Sequence, residues 1–185
     1  MIMNELPDTP LVQEATRFAQ AALTPSIQRH SQRTFLLGRA YARARAIAFD
    51  EEDLLLAALF HDLGLTDTFA DSRKAFTEIG AGLLEEFLTQ RGDPRRGQLL
   101  GEAIDFHMQL LPRWSKGPVV GLLQVGAWMD VSRLRAGRVG RDRIASVEAV
   151  FPRAEFESEF NARLRKSFGS FRSCARLLVP KSRRG

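Results

Sequence analysis

Residues 53–62 read Asp53-Leu54-Leu55-Leu56-Ala57-Ala58-Leu59-Phe60-His61-Asp62, with Leu63-Gly64-Leu65 following at once. The apolar run predicts a short buried helix. Asp50 stands as its N-cap, and Asp53 at the third helical position aids its positive end. The helix stops at His61-Asp62, so two strong metal-ligand side chains sit side by side at its end.

The rest of the chain follows the same helical grammar. Thr24-Pro25 is a start signal, with Thr as N-cap and Pro at the first helical position. That helix is predicted to run to about Ala48, with Ile27, Leu37, Ala40, Tyr41, Ala44 and Ala48 near one face. Residues 63–72, holding Gly64, Asp67, Asp71 and Ser72, read as a loop. Further helices are predicted from Lys74 to Gln90, from Asp93-Pro94 to Gln109, and from Gly117-Pro118 to Arg135. A short helix over 141–149, a longer one from Ala154 to Leu178, and a first helix over 8–22 complete the set. No alternating run of β-branched residues argues for a sheet. The expected fold is all-α, a single-domain helical bundle. Residues 1–23 form an N-terminal helical segment, 24–178 the main domain, and 179–185 a basic tail with a frayed end.

Composition narrows the function classes. At 185 residues the chain can bury one full core. No segment supplies the 18 or more apolar residues of a membrane span. Met1-Ile2-Met3-Asn4-Glu5 lacks the basic and apolar regions of a secretory signal, and a lone Cys174 fits a reducing cytoplasm. One cysteine also excludes a cysteine-rich zinc site, so any metal must be held by nitrogen and oxygen. The net charge of +5 is uneven: residues 131–185 hold 14 Lys+Arg against 5 Asp+Glu. Such a balance attracts nucleic acid or phosphorylated ligands. No aromatic-interleaved basic stripe accompanies it, so a solvated basic helix surface is the preferred reading and nucleic acid is not the expected partner.

The three histidines, His30, His61 and His107, all lie on otherwise apolar helix faces. His30 shares its face with Ile27, Thr34 and Leu37, and His61 with Leu54, Ala57 and Ala58. His107 shares one with Leu100, Ala103 and Ile104. Asp130 sits in a stripe of Leu123, Gly126, Ala127 and Leu134. An unpaired buried carboxylate costs several kcal/mol. Asp130 is therefore exposed at an edge, paired with a cation such as Arg133, or bound to a metal. Neutral imidazole and carboxylate suit divalent transition ions. Separate helices must bring them together, as bundles do.

The ordered blocks resemble the HD-domain superfamily of metal-dependent hydrolases, nearest its cyanamide hydratase-like branch. They are His30-Ser31-Gln32-Arg33-Thr34-Phe35, then Ala58 through Thr66, then Phe76 with Gly80-Ala81. Glu102-Ala103-Ile104 through His107, Gly126-Ala127 through Asp130-Val131, and Phe151-Pro152-Arg153 follow. The resemblance implies one divalent transition ion (Zn, Fe, Mn, Co or Ni) held by His30, His61, Asp62 and Asp130. It implies an activated water acting on a small-molecule substrate, either a nitrile of the cyanamide kind or a nucleotide monophosphate. His107 would donate a proton, orient substrate or complete the coordination. Asp67 is a candidate general acid/base against a solvated loop carboxylate, and Arg33 is expected to pair with Asp62 or hold an anion. Phe60, Phe76 and Trp128 would line a small apolar enclosure. One departure bears on substrate: the branch's Arg-Phe-Glu triplet reads Ala75-Phe76-Thr77 here. A non-catalytic HD-like binding scaffold is the rival class, and an apolar patch on the terminal helices would allow a homodimer.

Overall fold

A computed structural model of the chain describes residues 6–167. Eight α-helices occur among them: α1 Pro10–Gln20, α2 Pro25–Ala44, α3 Glu51–Phe60, α4 Phe76–Thr89, α5 Pro94–Phe106, α6 Pro118–Ser132, α7 Arg141–Val150 and α8 Phe156–Ser167. Short 3-10 turns follow α3 at Leu63–Leu65 and precede α6 at Trp114–Lys116. No strand occurs among the described residues.

The starts are set by capping. Asp50 accepts from the Asp53 amide at 3.0 Å and Asp93 from the Arg96 amide at 3.1 Å. Proline opens α1, α2, α5 and α6, where its missing N–H costs no helical bond. α2 ends at Ala44 rather than Ala48, because Ala46 turns into the left-handed region at φ 51°. α6 ends three residues earlier than predicted, with Arg133 and Arg135 both at positive φ. The predicted final helix extends to Leu178, and its part beyond 167 lies outside the described residues, as do Cys174 and the tail 179–185.

α3 is buried along its whole apolar run and is the centre of the bundle. α2, α4, α5 and α6 surround it, with α4 on α5 and α2 on α6 as the most extensive packings. α1 joins the same core through Val12, Ala15 and Ala19, and its Phe18 stacks on Phe60 at 5.3 Å. The exposed large apolar side chains among the described residues are Leu99, Leu110, Leu111 and Trp114. They lie on α5 and the segment leading to α6.

The α2–α6 contact places the site. A Cβ on Gly38 would meet the Leu122 carbonyl at 2.9 Å, and one on Gly126 the Thr34 carbonyl at 2.1 Å. The register steps up by four on α6 as it steps down by four on α2, so the two helices run antiparallel. One further turn brings Asp130 to His30. Gly126→Ala is therefore expected to separate the backbones and destabilise the fold by about 1–3 kcal/mol, read as a lower urea midpoint.

Candidate metal centre

His61 and His107 are built alike. Each caps the C-terminus of its helix, α3 or α5, and its Nδ1 meets the carbonyl three residues back, Ala58 at 2.8 Å and Ile104 at 2.7 Å. A carbonyl only accepts, so Nδ1 carries the hydrogen in both rings. His30 Nδ1 lies 2.6 Å from Asp130 Oδ2, which also only accepts. All three neutral rings therefore present Nε2 as a bare lone pair.

Those lone pairs converge. His30 Nε2 and His61 Nε2 are 3.2 Å apart, and Asp62 Oδ2 lies 3.4 Å and 3.2 Å from them. His107 Nε2 is 3.8 Å from Asp62 Oδ1. None of these residues is more than 2% exposed. Both Asp62 oxygens lie within ion-pair reach of imidazoles yet accept no well-aligned hydrogen bond. Acceptors facing acceptors in a dry interior are costly unless a cation sits between them. The donor set, imidazole nitrogen with carboxylate oxygen, fits a divalent transition ion.

The ligand atoms of His30, His61 and Asp62 all lie within 4.8 Å of one another. Asp130, the fourth expected ligand, falls outside that group. Its Oδ2 accepts from His30 Nδ1 and from Arg33 Nη2 at 2.9 Å, and its Oδ1 from Arg33 Nε at 2.8 Å and Arg153 Nη1 at 3.1 Å. With both oxygens taken, Asp130 stands behind His30, fixing its tautomer and ring as outer-shell carboxylates do. Arg33 likewise faces Asp130 and not Asp62, and its Nη1 donates to the Phe151 and Pro152 carbonyls at 3.1 and 3.2 Å. Arg133, the expected local partner of Asp130, pairs with Glu148 instead.

Asp67 is not at the group. Its side chain is 71% exposed and is held by Lys166 Nζ at 2.6 Å, which keeps its carboxyl below the usual range. Of the expected apolar lining, Phe76 meets the His107 ring edge-on at 5.6 Å, whereas Phe60 turns to Phe18 and Phe87. Trp128 is half-buried, with an indole N–H that finds no partner. Two charges close to Phe76 in sequence have partners of their own. Arg73 pairs with Asp71 on the surface, and Glu78 accepts from the Ala75 amide of its own helix start. Two contributors escaped the sequence reading: Phe156 stacks on His30 at 4.6 Å, and Phe160 lies 5.5 Å from the same ring. Their only signal was an aromatic pair at i, i+4 spacing on a helix otherwise rich in charge.

Burial lowers the pKa of His30 despite the neighbouring carboxylates. Burial together with the charge of His61 pushes His107 down to about 3. At His61 burial also opposes the charge, but the adjoining Asp62 more than offsets it and the pKa is raised. Burial opposes ionisation of Asp62 as well, yet His61, His30 and His107 together hold its carboxyl well below the usual range. The cluster thus favours one positive charge next to Asp62, the charge that a metal ion would bring.

The residues of this group, with Asp130 beside them, occur in the order His30, His61-Asp62, Asp130 inside a span that a family model matches. That model is described as HD domain, and it covers residues 27–131. The chain belongs to the HD-domain family. HD domains are generally metal-dependent hydrolases that bind divalent metals, and the group described here has the chemistry for such an ion. No curated protein matches the chain. The HD-domain match ends one residue after Asp130, so α7, α8 and the segment between them, which together supply Arg153, Phe156 and Phe160, lie beyond it. No described helix is long and apolar enough to cross a membrane.

Protons and metal compete for the same lone pairs. His61 takes up its proton above its ordinary value of 6.5. On acidification the apparent metal affinity is therefore expected to start falling above pH 6.5 and to drop about tenfold per pH unit below that point. Competition with a fluorescent chelator between pH 5 and 8 measures this; a flat profile would contradict the assignment.

Proposed function

We propose that this HD domain is a metal-dependent hydrolase or hydratase acting on a small uncharged molecule, with hydration of a nitrile of the cyanamide kind as the leading reaction. The observation that carries the reading is the convergence of bare imidazole nitrogens and Asp62 in an apolar enclosure whose adjoining cations are already spent. Arg33 and Arg153 are both paired with Asp130. A phosphate needs several converging donors, whereas a small neutral substrate needs a tight apolar surround, which Phe76, Phe156 and Phe160 provide.

His30, His61 and Asp62 would hold one divalent ion, and Asp130 with Arg33 would fix His30 from behind. A divalent ion bound there supplies Lewis acidity and a water acidified to a pKa of about 7. His107, kept neutral by burial, accepts a hydrogen bond at Nε2 and aims the water. It is too weak a base to store the proton at neutral pH. Hydration of a nitrile would then place the water oxygen on the nitrile carbon and both of its protons on the nitrogen of the amide product.

A second reading is an HD-type phosphohydrolase acting on a nucleotide monophosphate. Lys74, Arg163 and Lys166 around a cavity beside Gly64-Leu65 favour it. Turnover of metal-reconstituted protein on cyanamide and on a nucleotide monophosphate panel separates the two. Urea formation without phosphate release is expected. Phosphate release alone would replace the first reading with the second. Activity on neither, with metal bound, would leave the binding scaffold.

A further inference from the structure

His30, His61 and Asp62 are sealed from solvent, so neither a metal ion nor a substrate reaches them in this conformation. Part of the surface that closes over His30 comes from α8. Phe156 and Phe160 of α8 stack on each other at 5.1 Å and both cover the His30 ring. These two are the only buried side chains among the described residues of α8. A helix with so few buried anchors lies at the low end of local stability.

The ties of α8 differ on its two sides. The segment before it is fixed from below. Arg29 and Arg33 donate to the Pro152 carbonyl, and Arg153 donates to the Asp130 side chain. Glu155 follows, with φ of 61°, a left-handed conformation that a glutamate rarely adopts. Beyond it, apart from Phe156, Phe160 and the half-buried Leu164, the ties are polar and sit at the rim. Glu159 accepts from Thr24 Oγ1 at 2.7 Å and from Ser26 Oγ, Arg163 Nη1 donates to the Leu65 carbonyl at 3.1 Å, and Lys166 pairs with Asp67. Beside these ties lies an open surface pocket of about 310 Å³, lined in part by Gly64, Asp67, Lys74, Arg163 and Lys166. It starts two residues from Asp62.

We propose that α8 is a gate, hinged at Glu155, whose opening lifts Phe156 and Phe160 off His30 and joins this pocket to the metal group. Glu159 with Thr24 and Ser26, and Asp67 with Lys166, are its latches. The proposal rests on the metal reading for what the gate admits, but not for the motion itself.

Two measurements on the full chain test it. Hydrogen exchange of the unaltered protein reads the motion with or without metal. Amides of residues 159–165 are expected to exchange by local opening at least about tenfold faster than those of α2 and α3. Thr24→Val with Ser26→Ala should speed α8 further and leave α3 unchanged. Exchange of α8 only together with α2 and α3 would overturn the gate. In the second measurement the Zn²⁺-loaded protein is challenged with excess EDTA. The Thr24→Val, Ser26→Ala variant should lose zinc about tenfold faster than the unaltered chain. A Ser26→Cys, Glu159→Cys variant in a Cys174→Ser background, bridged by a short bismaleimide, should lose it about tenfold slower than its unbridged form. Equal rates in all forms would overturn the gate. A chain that takes up no Zn²⁺ while α8 still opens locally would remove the metal reading and leave the gate standing.

Discussion

Asp62→Ala is expected to leave less than about a tenth of an equivalent of metal on the reconstituted protein, with turnover reduced about a thousandfold or more. The magnitude follows from the several kcal/mol that a bound ion supplies to charge stabilisation, at 1.36 kcal/mol per factor of ten. Asp62 supplies the one formal negative charge in the converging group, and both of its oxygens lack a well-aligned donor. The same substitution should abolish stabilisation by metal. At a free metal concentration a hundredfold above Kd, the unaltered protein gains about 2.7 kcal/mol. The variant's melting temperature should not respond to metal. Elemental analysis and melting curves with and without metal check both outcomes. A variant that keeps a full equivalent would show that Asp62 is not a ligand.

The second large effect is expected at Arg33. Its guanidinium is fully buried, bonds both oxygens of Asp130, and donates to the Phe151 and Pro152 carbonyls. Arg33→Ala leaves a buried carboxylate and two carbonyls short of donors, at a cost of about 3–5 kcal/mol in urea unfolding. His30 loses its fixed partner at the same time, so metal affinity should weaken about 10–100-fold in the variant that remains folded. Arg33→Lys should recover only part of both, because an ammonium cannot make the two parallel bonds. The pair Arg33→Met with Asp130→Leu should cost less than the sum of the single changes, since no buried charge is then stranded. Additive costs would mean that the two side chains act independently.

These two residues mark how far the sequence was readable. Asp62 could be singled out because its neighbours announce it: seven apolar residues, then His-Asp, at a helix end. Arg33 could not be assigned a partner. Helical spacing says which residues share a face with His30, but not which helix lies opposite. The antiparallel α2–α6 contact made through Gly38 and Gly126 decides that Asp130 meets Arg33 and the Nδ1 side of His30. Asp67 shows the converse. It is close to Asp62 in sequence, yet the 3-10 turn at Leu63–Leu65 carries the chain outward and leaves it on the surface beside Lys166.

By itself, then, the sequence determined the all-α fold, most helix starts, and the His30, His61-Asp62 set, because these depend on local capping and on periodicity along one helix. Only the tertiary structure decided that three Nε2 lone pairs face Asp62, that Asp130 is spent on His30 and two arginines, and that Phe156 and Phe160 of α8 cover His30. Those are contacts between residues up to 130 positions apart. Their direction is set by how helix backbones approach one another, and no pattern within a single helix encodes it.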